Sequence, residues 1–105
     1  MNIAVYGRPV SGSQIAFAEN VLSILESNKC KIIVHRPYLE FLQRNSVKGN
    51  YTTFNSYDDL KGNAEFLFSI GGDGTLLDTI LLVKDSNIPI VGVNAGRLGF
   101  LSSIS

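Results

Sequence analysis

The chain alternates short apolar segments with segments whose apolar residues recur at helical spacing. Strands are predicted over residues 2–6, 31–35, 66–70 and 90–93. Helices are predicted over residues 14–27, 38–44 and 75–84, with a helical turn near 58–61 and a polar loop over 46–57. Neighbouring strands are joined by no hairpin signal such as Asn-Gly, which favours parallel pairing. The pattern therefore predicts an α/β fold with a mostly parallel sheet and flanking helices.

The last residues of the chain do not complete this pattern. After the strand over 90–93 no helical spacing follows that could return across the sheet. An open parallel sheet needs cover on both faces. One part of the sheet is therefore expected to lack its cover, which a partner or a segment outside the chain would supply.

Length and charge limit what the chain can bind. Its 105 residues are enough for one domain, and nine Lys and Arg balance nine Asp and Glu. This balance gives no broad positive field for nucleic acid or an anionic membrane. The apolar runs are too short to span a bilayer, and a single cysteine, Cys30, can form no internal disulfide. A cytoplasmic protein with local phosphate binding is expected.

The glycine-rich segment at residues 69–75, SIGGDGT, follows a buried strand and opens a helix. Gly71, Gly72 and Gly74 allow a ligand to approach the main chain closely, and the first N–H groups of the helix favour an anion such as phosphate. Asp73 could orient and deprotonate a hydroxyl, hold a magnesium ion or bond a ribose hydroxyl. The structural alternative is that Asp73 only caps the helix and the glycines only form the turn.

Other familiar site patterns do not fit the sequence. Residues 7–14, GRPVSGSQ, have Ser13 where a Walker loop needs lysine, and residues 72–77, GDGTLL, lack the third glycine of a dinucleotide fingerprint. An NAD-dependent dehydrogenase is therefore disfavoured, although NAD as a ligand is not. The single His35 has no acid or cysteine at the spacing of a metal site or catalytic triad, and no metal-ligand set is predicted. Arg8, in the loop after the first strand, could contact a phosphate or face solvent.

Two blocks resemble a known family. Residues 71–80, GGDGTLLDTI, are followed by residues 88–101, IPIVGVNAGRLGFL, and together they resemble the amino-terminal domain of NAD kinase. The first block alone also resembles diacylglycerol kinases, and phosphofructokinases have a related turn, whereas the second block is typical of NAD kinase. The resemblance implies a Rossmann-like sheet over residues 1–105. It also implies a second, β-rich carboxy-terminal domain that is absent from this chain.

The resemblance implies a transferase activity and a set of site residues. The family transfers a phosphoryl group from ATP, or in some members polyphosphate, to the 2′-hydroxyl of the adenosine ribose of NAD, giving NADP, with a divalent metal such as Mg²⁺. By resemblance Asp73 is the catalytic base or orienting acceptor. The NAD-binding set would be Asp73, Gly74, Leu98, Gly99 and Phe100, and the phosphate-facing turn would be formed by Gly71, Gly72 and Thr75.

The resemblance also sets expectations for the complete protein. NAD and ATP would be its ligands, the complete protein would form a homo-oligomer, and the isolated domain would be inactive because half of its positioning groups are absent. Asp78 departs from the family pattern, which often has a basic residue there. Two alternatives stay open: a related GGDGT kinase acting on a lipid or sugar phosphate, and a non-catalytic nucleotide-binding module.

Overall fold

Strands and helices alternate along the chain as the periodicity indicates. The computed structural model describes residues 1–9, 15–83, 86–93 and 101–104, the last four through their backbone. The strands are β1 (Asn2–Gly7), β2 (Lys31–His35), β3 (Thr52–Phe54), β4 (Phe66–Ile70), β5 (Ile90–Val93) and β6 (Leu101–Ile104). The helices are α1 (Ile15–Ser27), α2 (Arg36–Arg44), α3 (Tyr57–Leu60) and α4 (Asp73–Val83).

The strands form a single sheet in the order β3-β2-β1-β4-β5-β6. The first five are parallel, and β6 pairs antiparallel with β5 at the edge. This confirms the predicted α/β fold with a mostly parallel sheet. The chain runs outward from β1 to β3 and then returns to place β4 on the other side of β1. The strand order therefore reverses between β1 and β4, and open α/β sheets bind ligands at the carboxyl ends of the strands beside such a reversal.

Each face of the sheet packs against its own pair of helices. Successive strand residues point to opposite faces, so Ile3 and Val5 pack with α1 and α2, while Ala4 packs with α3 and α4. On the α1 and α2 face, Phe68 of β4 and Val91 of β5 are only partly buried. The cover on that face is thus thinner at β4 and β5 than at β1 and β2.

The structure has strands in two segments for which none was predicted. β3 lies within the predicted loop over 46–57, and β6 lies in the terminal segment, for which no strand was expected. Both are edge strands of three or four residues, too short to show an alternating pattern. Those two parts of the prediction were wrong.

Two helices begin earlier than their periodicity predicts. α2 begins at Arg36 because Pro37 occupies its first turn, where a missing N–H removes no helical hydrogen bond. α4 begins at Asp73 instead of residue 75, so Gly74 lies inside the first turn. The apolar spacing could not show these starts, since α2 opens with Arg36 and Pro37 and α4 opens with Asp73 and Gly74.

Candidate functional site

The glycine turn lies beyond the carboxyl end of β4, next to the reversal in strand order. Gly71 donates its N–H to the Val93 carbonyl oxygen at 3.0 Å and has a φ of 145°. A Cβ atom at Gly71 would lie 2.6 Å from Thr75 Oγ1, so both the backbone and the space require glycine. A Cβ atom at Gly72 would meet no atom of the described residues within 4 Å. The main chain at Gly72 is therefore open to a ligand.

Asp73 opens α4 directly after this turn. Its side chain is exposed, and within the described residues no hydrogen bond or ion pair engages it. A negative charge is favoured in the first turn of a helix, where the unpaired N–H groups point outward. The Asp73 carboxylate is thus available to an incoming hydroxyl or cation, beside N–H groups that favour phosphate.

A buried hydroxyl pair holds α4 against β4. Thr79 donates its hydroxyl to the Thr75 carbonyl oxygen at 2.8 Å and lies 2.9 Å from the Ser69 hydroxyl, which can donate to it. Ser69 and Thr79 are almost fully buried, and Thr75 is also buried. Buried hydroxyl groups need such partners. The pair fixes the helix that carries Asp73 relative to the end of β4.

Arg8 joins the segment after β1 to α4. Its Nε and Nη2 atoms donate to the Asp78 carboxylate at 2.6 and 3.0 Å, and Nη2 also donates to the Gly74 carbonyl oxygen at 3.1 Å. The Tyr6 hydroxyl donates to the same carboxylate at 3.2 Å. Hydrogen bonds from Arg8 hold the pKa of Asp78 below its usual value, and Asp78 raises the pKa of Arg8. A charged Arg8 therefore sits beside the glycine turn.

The structure brings most of the predicted site residues together. Arg8 contacts Gly74 in the turn that also contains Asp73, although these segments are far apart in sequence. The described contacts of Arg8 are with the protein, so its phosphate contact remains a prediction. The predicted NAD-binding residues Leu98, Gly99 and Phe100 lie outside the described residues.

Sequence reasoning missed a row of aromatic rings at the same edge of the sheet. The Tyr6 and His35 ring centroids lie 4.8 Å apart, and those of His35 and Phe54 lie 5.3 Å apart. The rings come from β1, β2 and β3, and His35 and Phe54 are register partners. Each ring lies near the carboxyl end of its strand, which is the signal that could have grouped them.

Two features are absent from the described part of the chain. It contains no group of three or more His, Cys, Asp or Glu side chains arranged to hold a metal ion. No helix within it has the length and apolar character needed to cross a membrane.

The reversed strand order, the open glycine turn and the helix start at Asp73 define a doubly wound α/β domain suited to phosphate-bearing ligands. A family model described as ATP-NAD kinase N-terminal domain matches residues 3–105. The chain therefore belongs to the ATP-NAD kinase N-terminal domain family.

The similarity of the chain to individual proteins supports the same family. The chain is 37% identical to an NAD kinase of Flavobacterium johnsoniae and 38% identical to one of Flavobacterium psychrophilum, each over 105 residues and 99% of this chain. It is 35% identical to an NAD kinase of Cytophaga hutchinsonii over 98% of this chain. In all three cases the match covers 36% of the relative. The chain thus spans only about a third of the length of these relatives.

Proposed function

We propose that the chain is the amino-terminal domain of an NAD kinase, with a second, carboxy-terminal domain outside it. The complete enzyme transfers a phosphoryl group from ATP or polyphosphate to the 2′-hydroxyl of the adenosine ribose of NAD, giving NADP. One observation carries this proposal. The Asp73 carboxylate is exposed and without a described partner at the start of α4, within residues 3–105, which match the family model.

Asp73 is the proposed base or orienting acceptor. Phosphoryl transfer has a loose transition state, so the protein mainly positions the attacking hydroxyl and stabilises the phosphate charge. Asp73 accepts the hydrogen bond, and finally the proton, of the 2′-hydroxyl. The open main chain at Gly72 and the N–H groups of the first turn of α4 face the transferred phosphoryl group. Gly71 and Thr75 keep the turn in shape.

The site offers a divalent cation one carboxylate ligand, Asp73. Mg²⁺ usually binds one or two carboxylates together with substrate phosphates and water. The exposed Asp73 carboxylate is a suitable single ligand, so the ion would be held mainly by the donor phosphates. When bound, it neutralises charge on the transferring phosphoryl group.

The other expected properties belong to the complete enzyme. Leu98, Gly99 and Phe100 line the adenine side of the NAD site, with Gly74 as a further NAD contact. The complete enzyme is a cytoplasmic homo-oligomer. The isolated domain is inactive, because catalysis requires both substrates to be held in a reactive geometry.

A chimera tests the proposal. The matched segment of the Flavobacterium johnsoniae NAD kinase is replaced by this chain, and NADP formation from NAD is measured with ATP and with polyphosphate. Asp73→Asn should lower kcat by about 10²- to 10⁴-fold, the usual contribution of a general base. Glu40→Gln, on the opposite helix layer at α2, is the matched control and should retain kcat.

Two results would contradict the proposal. Near-normal turnover by Asp73→Asn would remove Asp73 from the chemistry. Phosphorylation of diacylglycerol or fructose 6-phosphate by the chimera, with NAD left unchanged, would assign the domain to a related kinase.

A further inference from the structure

A groove opens beside the glycine turn, between α3 and α4, on the face of the sheet that these helices cover. Its volume is about 400 Å³, within the range of small-ligand sites. The aromatic row supplies one side of it through Tyr6 and His35. The segment after β3 and the two helices supply the rest. The remaining lining residues are Asn55, Ser56, Tyr57, Asp58, Asp78, Leu81 and Leu82.

The lining suits a planar heteroaromatic ring with polar edges. Tyr6 and His35 are half-buried, so their rings are accessible to stacking, while Phe54 behind them is fully buried. Leu81 and Leu82 add an apolar wall from α4. Burial lowers the pKa of His35, with the nearby main chain of Asn55 opposing the shift, so the imidazole is neutral at neutral pH.

The charges of the groove determine which end of a nucleotide it can hold. Its walls carry two carboxylates, Asp58 and Asp78, and among the described residues no Lys or Arg lines it. Phosphate groups would be repelled there, whereas the amino group of a purine or the hydroxyl groups of a ribose can donate to carboxylate and amide oxygens. The groove therefore fits a nucleoside and not its phosphates.

The cation that phosphates need lies just outside the groove. Arg8 contacts Asp78 on the groove side and the Gly74 carbonyl oxygen on the side of the glycine turn. None of the described residues accepts a hydrogen bond from its Nη1 atom. The groove, Arg8 and Asp73 thus follow one another along the edge of the sheet. In this order they could hold the nucleobase of a nucleotide, its phosphates and the hydroxyl that accepts the phosphoryl group.

We propose that this groove binds the adenosine moiety of the phosphoryl donor ATP, whose phosphates pass Arg8 to reach the acceptor held by Asp73. The inference rests on the proposed function and adds the donor site to it. The neutral His35 ring and the Tyr6 ring form the stacking surface, and Leu81 forms the opposite edge.

A substitution at the rim of the groove separates donor binding from acceptor binding. Leu81 is 68% exposed, so Leu81→Trp enlarges the side chain without disturbing the core. Leu77 is 59% exposed on the same helix and does not line the groove, which makes Leu77→Trp the matched control. The dissociation constants of ATP with Mg²⁺ and of NAD are measured separately by calorimetry on the chimera.

Leu81→Trp should raise the Kd of ATP about tenfold and leave the Kd of NAD within about twofold. Leu77→Trp should change neither. His35→Val should also weaken ATP binding, up to about tenfold, and His35→Phe should restore it because it keeps a ring on the stacking surface. Circular dichroism on each variant confirms that it is folded.

Three results would overturn the inference: an unchanged Kd of ATP in Leu81→Trp, an equal loss in Leu77→Trp, or a loss confined to NAD. The calorimetry uses one ligand at a time and requires no turnover. If the chimera bound ATP in the groove but made no NADP, the result would contradict the proposed function and support the proposed ATP site.

Discussion

Replacing Thr79 by valine should destabilise the domain although the side chain changes little in size. The Thr79 side chain is fully buried and the Ser69 side chain is 2% exposed. The substitution removes the hydroxyl that lies 2.9 Å from Ser69 Oγ, and no other described residue bonds that atom. A buried hydroxyl left without a partner costs about 1–3 kcal/mol of the free energy of unfolding. For a domain of this size, each 1 kcal/mol lowers Tm by roughly 4–8 °C.

A double-mutant cycle isolates this contribution from the change in packing. Ser69→Ala should cost less, about 0.5–1.5 kcal/mol, because Thr79 still donates to the Thr75 carbonyl oxygen. The double variant removes both hydroxyl groups and leaves neither unpaired. Its cost should fall below the sum of the single costs by about 1 kcal/mol, as expected for residues in contact.

Urea unfolding followed by circular dichroism gives the four free energies, and equal m-values show that the unfolded states are comparable. Additivity within about 0.3 kcal/mol would refute the reasoning, because it would mean that the two hydroxyl groups do not depend on each other. A Thr79→Val variant as stable as the parent would refute it as well.

Two further predictions concern the turn and the aromatic row. Gly71→Ala should lower the free energy of unfolding by about 1–3 kcal/mol, since an added Cβ meets the neighbouring side chain at 2.6 Å and φ is 145°. Gly72→Ala should leave the unfolding midpoint in urea unchanged, because its Cβ has open space; an equal loss in both variants would contradict this. Because burial lowers the pKa of His35 from 6.5, the unfolded chain binds the proton more readily, so stability falls as pH drops below about 6.5. His35→Phe should remove this part of the slope below about pH 6.5, and an unchanged slope would exclude His35 as its source.

The parts of the fold that could be predicted are those whose pattern is local. The strands over 31–35, 66–70 and 90–93 match β2, β4 and β5, because buried parallel strands form continuous apolar runs. β3 and β6 could not be predicted, since a three- or four-residue edge strand is defined by its pairing partner and not by its own sequence. The glycine turn was recognisable for the same reason as the long strands, because its residues are contiguous.

The parts of the site that could not be predicted depend on pairing between distant segments. Arg8 and Asp78 are 70 residues apart, and only the parallel pairing of β1 with β4 brings the segment after β1 beside α4. Tyr6 and His35 face each other for a similar reason, through the pairing of β1 with β2. In sequence each of these residues looked isolated, so their joint role could not be inferred.

Asp78 is acidic where the family resemblance leads one to expect a basic residue. Its effect on the site follows from its contact with Arg8. A basic side chain there would place positive charge beside the glycine turn directly from α4. Here Asp78 instead binds the Arg8 guanidinium and holds it against the Gly74 carbonyl oxygen. Positive charge is therefore still present at this end of the helix, but it comes from the segment after β1. Asp78 and its contact with Tyr6 lie on the groove side of this ion pair. A carboxylate there favours the binding of a nucleoside over the binding of a phosphate.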